Sequence, residues 1–68
     1  MSTNTIFQKK TVVGTSNVSV SDAIEKVVKK FNDENPVSWF EVVEIRGRVT
    51  IEGNLEYQVT VNLGQKLK

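Results

Sequence analysis

Apolar and polar positions fall into four blocks along the chain. From Thr5 to Val13 the residues are rich in β-branched and aromatic types, and the run stops at Gly14, which predicts a first strand. Ile24, Val27, Val28 and Phe31 then recur at i, i+3, i+4 and i+7, the apolar stripe of a helix. Ser19, with Asp22 three residues on, reads as its N-terminal cap, and Val18 is placed to staple onto Ala23. Lys29 and Lys30 fall near its end, where the helix dipole favours cations. The polar run NDENP closes the helix, because the residue before Pro36 avoids the helical region.

Ser38 to about Ile51 reads as a second strand. Glu52-Gly53-Asn54-Leu55 follows as a tight turn, with Gly53 and Asn54 suited to positive φ. The last block, Leu55 to about Lys66, alternates cleanly. Leu55, Tyr57, Val59, Val61 and Leu63 share one face; Gln58, Thr60, Asn62 and Gly64 share the other. The element order is β-α-β-β, an α+β class, in one domain over residues 1–68 with a loose start at 1–4.

Element lengths add a constraint. A second strand of roughly fourteen residues spans about 45 Å, whereas a helix of about fourteen residues spans only ~21 Å. One helix cannot cover the hairpin. With strict alternation, Val43, Ile45, Val49 and Ile51 point to the helix, and Phe40 and Val42 fall on the other face. A sheet with uncovered apolar positions needs a neighbour, so the expectation is an oligomer whose subunits close over one another's sheets.

Composition narrows the chemistry. A chain of 68 residues buries too little surface to be comfortable alone. It has no cysteine, which removes disulfides and thiolate metal sites. It has no histidine either, so Ser-His and Cys-His nucleophile pairs and the usual zinc sets are absent. Nine basic against eight acidic side chains leave a net charge of +1, too balanced for a nucleic-acid arm or an anionic-membrane patch. No apolar run approaches the ~20 residues of a membrane span. The start, MSTNTIFQKK, lacks the apolar stretch of a secretory signal, and a cytoplasmic protein is the expectation.

Candidate functional residues are few. Trp39, the single tryptophan, is either a core or interface aromatic or a platform on which a flat ligand stacks. Gln58 is either an ordinary polar residue on a sheet face or an amide matched to the donor–acceptor edge of a heterocycle. Arg46 and Arg48 share a strand parity with Glu44. They are either cross-strand charge partners, with Glu56 within reach, or a fork for a phosphate. Glu41 and Glu44 differ in parity and are expected on opposite faces, which argues against a paired-carboxylate site. The run Asn32 to Asn35 lacks the spacing of a calcium loop. The segment GTSN at 14–17 lacks the further glycines and the lysine of a phosphate-binding loop.

The turn GTS at 14–16, the stretch WFEVVEIRG at 39–47 and YQVTVNLG at 57–64 occur in an order that resembles the dodecins, small flavin-binding proteins. The resemblance covers about Ile6 to Lys68. It implies a long antiparallel sheet of three strands wrapped around one helix, with twelve subunits forming a hollow shell. It also implies flavins held in stacked pairs between two symmetry-related tryptophans. Trp39 matches the stacking tryptophan, Gln58 the glutamine that hydrogen-bonds the flavin's pyrimidine edge, and Arg46 an arginine associated with the FMN phosphate. Glu44 is included with them as a binding residue.

The chain also departs from that pattern. Gln65 and Lys66 stand where the family often has an aromatic residue and an arginine, and Lys66 matches a position linked in some members to coenzyme A. The connection NDENPVSW is about a residue shorter than usual, and Ile45 replaces a frequent glutamine, which would remove a polar group near the ligand. The resulting expectation is a non-enzymatic homododecamer that stores and photoprotects FMN or riboflavin, without nucleic-acid or membrane partners and without a metal site. The alternative is a dodecin-like shell that lacks flavin and binds calcium or another small ligand.

Overall fold

The computed structural model describes residues 5–67, so the expected loose start at 1–4 lies outside the described residues. Strand β1 (Phe7–Ser16) leads into helix α1 (Val20–Glu34), then β2 (Val37–Val49) and β3 (Leu55–Lys66). The strands form one antiparallel sheet in the order β1-β3-β2, with β3 in the centre. This is the α+β, β-α-β-β arrangement that the hydrophobic pattern predicts.

Helix α1 lies mainly on β1 and β3 and touches β2 least. Ala23 and Val27 of the helix pack on Val59, Val61 and Leu63 of β3, all buried, with Ile24, Val28 and Phe31 around them. Each fully buried Val or Leu contributes about 1.5–3 kcal/mol, so a core this small leaves a thin margin.

Strand β1 runs through Gly14 instead of stopping there. A Cβ on Gly14 would stand 2.8 Å from both the Ala23 carbonyl oxygen and the Val27 Cβ. The glycine is where the helix backbone presses on the strand, not where the chain turns.

The helix start is capped more elaborately than a simple box. Ser19 Oγ accepts from the Asp22 N–H at 2.9 Å. The Ser19 N–H, however, is not met by Asp22; it donates to the buried Ser16 Oγ at 3.4 Å, as does the Val18 N–H at 2.9 Å. Ser16 in turn donates to Asp22 Oδ2 at 2.6 Å, and Lys26 approaches the same oxygen at 2.9 Å. The Ser16 hydrogen bond, reinforced by Lys26, holds the Asp22 carboxyl below its usual range. Val18 is exposed and stays outside the core, so no staple forms there. At the other end the helix extends to Glu34, and its last turn carries no basic residue. Lys29 and Lys30 sit a turn too early to meet the terminal carbonyls.

The β2–β3 turn closes when the Gly53 N–H donates to the Thr50 carbonyl at 2.9 Å. Gly53 has φ +88°, and among the described residues no other residue type has positive φ, so Asn54 does not share the left-handed role expected of it. Thr50 and Asn54 then pair through a 2.8 Å backbone bond and a 3.1 Å bond from the Asn54 N–H to Thr50 Oγ1. This is the three-residue hairpin loop that ends on a left-handed glycine.

The hairpin overhangs the helix. The radius of gyration is 14.7 Å and the long axis 59 Å, against about 11 Å expected of a compact chain this long. On the helix side of the overhang, Val20, Ile45, Val49, Leu55 and Tyr57 line an open hollow of about 390 Å³. Ile45, Val49 and Leu55 are all more than half exposed. No helix among the described residues is long and apolar enough to cross a membrane.

Candidate functional site

The phase of β2 decides which side chains can act together. Opposite β3, Val42 pairs with Val61, but the next pair is Glu44 with Thr60, so Val43 is an extra residue. A second extra residue, Ser38, lies between the pairs Val37–Gln65 and Trp39–Gly64. Each bulge shifts the alternation by one. Phe40 and Val42 therefore face the helix, opposite Leu63 and Val61, and Ile45 and Val49 do so too, opposite Val59 and Leu55. The predicted placement of Phe40 and Val42 on the far face is thus corrected. So is the separation of Glu41 from Glu44, which share the outer face opposite Asn62 and Thr60. Ile51 belongs to the turn and is fully exposed.

The outer face has two ends. At one end Trp39 is paired with Gly64, and the indole lies directly over that glycine: an added Cβ would coincide with its ring atoms. The Phe7 ring meets the indole edge-on, at 6.4 Å between centroids and 60° between planes. Trp39 keeps 38% of its surface exposed. Gly64 is the site residue that the sequence reading passes over. Its signal is a glycine inside a strand, which marks a close approach.

At the other end Arg46 pairs with Gln58, and Gln58 with Thr15 on β1. Arg46, Arg48, Glu56 and Gln58 line an open hollow of about 270 Å³. The two arginines differ. Arg48 Nε donates to Glu56 Oε1 at 2.7 Å, whereas Arg46 Nη1 stands 3.9 Å from Glu44 Oε1 with both side chains exposed. Exposed ion pairs of that kind are weak. Arg46 is the arginine free to turn to an anion, with Glu44 beside it.

Between the ends, Thr11 donates to Asn62 Oδ1 at 2.7 Å and Asn62 Nδ2 donates to Glu41 Oε1 at 3.3 Å, closing a polar ladder across the sheet. Gln58 and Gly64 are six residues apart on β3, about 20 Å at ~3.3 Å per residue. The chain thus puts Arg46, Gln58 and Glu44 together and sets Trp39 apart from them on the same face. Ile45 is on the helix face, away from this group, so its replacement of a polar residue does not alter the outer face of this chain. Lys66 is exposed and paired with Phe7. Among the described residues no group of three or more His, Cys, Asp or Glu could hold a metal ion.

The family model described as Dodecin matches residues 6–68. The chain belongs to the dodecin family. It is 34% identical over 64 residues to a Dodecin of Thermus thermophilus, covering 93% of each chain. The dodecin from Streptomyces davaonensis superposes with a TM-score of 0.87 at 31% identity, over 97% of this chain and 98% of that one. The calcium dodecin of Mycobacterium tuberculosis, described as calcium chelating, shares the fold at 20% identity and TM-score 0.85, over 93% and 91%. Family membership supports a small binding protein of the flavin-binding type that forms a homo-oligomer.

Proposed function

We propose that this dodecin binds flavin, preferably FMN, as stacked pairs between Trp39 residues of symmetry-related copies, and so stores and shields it. The observation that carries this reading is the indole of Trp39, seated over Gly64 on the outer face with its remaining surface open. The residues suit the group. An indole matches the extended ring system in shape and polarisability. The Gln58 amide offers a donor and an acceptor to a pyrimidine edge. Arg46, held only loosely by Glu44, can engage a phosphate.

Bound flavin supplies a chromophore that absorbs visible light and otherwise fluoresces. The chain's part is physical. Trp39 stacks, orients and, as an electron-rich ring in contact, drains excited-state energy before it is emitted or does chemistry. Because Trp39 and Gln58 of one chain stand about 20 Å apart along the strand, a ligand meeting both takes Trp39 from one copy and Gln58 with Arg46 from another. Twelve copies in a cytoplasmic shell complete the reading.

The test is a fluorescence titration of FMN with protein, followed by native mass spectrometry. Quenched emission with one flavin per subunit at saturation is the expected result. Undiminished FMN emission at micromolar protein, where binding would be worth about 8 kcal/mol, refutes it. A colourless shell that takes up calcium would support the alternative instead.

A further inference from the structure

Gln65 is 1% exposed and lies in the apolar layer, on the same face as Val59, Val61 and Leu63. Its amide nitrogen donates to the Asn35 carbonyl at 2.7 Å and to the Phe31 carbonyl at 3.4 Å. Those are carbonyls of the helix end and its cap, which no basic residue of the last turn serves. Its Oε1 is buried without a partner among the described residues. A core amide left half satisfied is a poor choice for stability alone, so the donated bonds need a reason.

That reason lies in the next few residues. The Val37 N–H donates to Asn32 Oδ1 at 2.8 Å, and Val37 pairs with Gln65. Ser38 is the extra residue, and Trp39 then lands on Gly64, next to Gln65. The short connection is therefore tied at Asn35 by Gln65 and at Val37 by Asn32, immediately before the bulge that sends Trp39 to the outer face. Without the Asn35 tie, one hydrogen bond to an exposed asparagine and the strand pairing are left to set the register.

We infer that Gln65 is a positioning residue: its amide locks the end of α1 to β3 and thereby holds the Ser38 bulge that aims Trp39. The consequence for flavin rests on the reading under Proposed function; the consequence for Trp39 does not.

Trp39 is the only tryptophan, so its emission and near-ultraviolet circular dichroism report this side chain cleanly. Gln65→Met keeps the length and removes the donor. The expected result is an unchanged far-ultraviolet spectrum and oligomer mass, a red-shifted and flattened Trp39 signal, and FMN affinity at least tenfold weaker. Native Trp39 spectra with FMN affinity within twofold of the unaltered protein overturn the inference. If the unaltered protein fails to bind FMN, the flavin reading falls while the Trp39 spectra still decide the role of Gln65. If Gln65→Met does not fold, Gln65→Leu, which is of similar size and also lacks the donor, is made instead, and its Trp39 spectra are judged by the same criterion. In the unaltered protein the Gln65 side-chain amide is expected to be protected from hydrogen exchange; exchange at the rate of a free amide overturns the inference independently of any variant.

Discussion

Gly64→Ala tests the seat of Trp39 with a single methyl group. The added carbon would occupy the position of the indole ring. The obstruction is the ring itself, so the ring must leave. Trp39 is 38% exposed, so about three-fifths of its surface is covered. An aromatic side chain buries up to about 250 Å², which makes the covered part roughly 150 Å². At about 25 cal/mol per Å², complete release costs about 4 kcal/mol. Lifting the ring off one face gives up about half of that, near 2 kcal/mol. Alanine in a strand recovers about 0.5–1 kcal/mol of backbone entropy relative to glycine. The net loss of stability is therefore about 1–1.5 kcal/mol, well within what an assembled fold survives.

The effect on binding is larger than the effect on folding. A displaced indole no longer presents its open face at the same height, and stacking of a flat heterocycle is worth about 1–3 kcal/mol. FMN affinity is expected to fall about 5- to 150-fold, approaching that of Trp39→Ala. The assay is FMN quenching for both variants beside urea denaturation at one fixed protein concentration, because an oligomer's apparent stability depends on concentration. Gly64→Ala with wild-type affinity and unchanged tryptophan emission would refute the seating argument.

Arg46→Gln is expected to weaken FMN by about 1 kcal/mol, roughly fivefold, the scale of an exposed ion pair, and to leave riboflavin binding unchanged; equal losses for both ligands would remove the phosphate role. Val49→Lys changes a residue already exposed in the subunit, so the subunit fold is expected to shift by no more than about 0.5 kcal/mol, whereas native mass spectrometry is expected to show smaller species; an intact assembly would free this face of any role in subunit contact. Asp22 has its folded pKa held below 3.8, first by the Ser16 hydrogen bond and then by Lys26. A depressed carboxylate contributes stability that is present above its unfolded pKa and lost as pH falls through the folded value. Asp22→Asn is therefore expected to flatten the fall of the urea midpoint below about pH 4; parallel acid limbs for the two proteins would show that Asp22 is not responsible.

The predicted elements stand because their periodicities are long and clean, and the failures are local. Strand β3 alternates without interruption from Leu55 to Leu63, so its two faces are legible directly. Strand β2 is equally apolar but carries extra residues at Ser38 and Val43, and neither Pro36 nor Gly47 stands close enough to Val43 to mark the second bulge. A period of two has no tolerance for a slip of one. That single shift moved Phe40, Val42 and Glu41 to the wrong faces while leaving Glu44, Arg46 and Arg48 on the right one. Gly14 and Gly64 show a related ambiguity: a strand glycine reads as a stop or a filler until the helix or the indole that occupies its space is known. Gln65 falls on the buried face by alternation alone, but its partners, the carbonyls of Phe31 and Asn35, lie 34 and 30 residues away. No local pattern carries such a contact.

The overhanging hairpin and the divided site have one cause. Strand β2 continues past the helix, which leaves Ile45, Val49 and Leu55 exposed on the helix side. The same extension carries Arg46 and its partner Gln58 toward the tip, away from Trp39 near the strand's start. A shorter strand would give a subunit that covers its own sheet and brings arginine, glutamine and tryptophan closer together. The long strand does neither. It leaves an apolar face for another chain to cover and, under the proposed flavin binding, a set of side chains that another chain would have to complete. Assembly and binding are then expected to be linked, with FMN stabilising the oligomer by mass action. A concentration-dependent denaturation midpoint that rises with FMN in the native protein, and not in Trp39→Ala, is the outcome this linkage requires. A midpoint indifferent to FMN at saturating flavin would separate the two and leave the length of β2 explained by assembly alone.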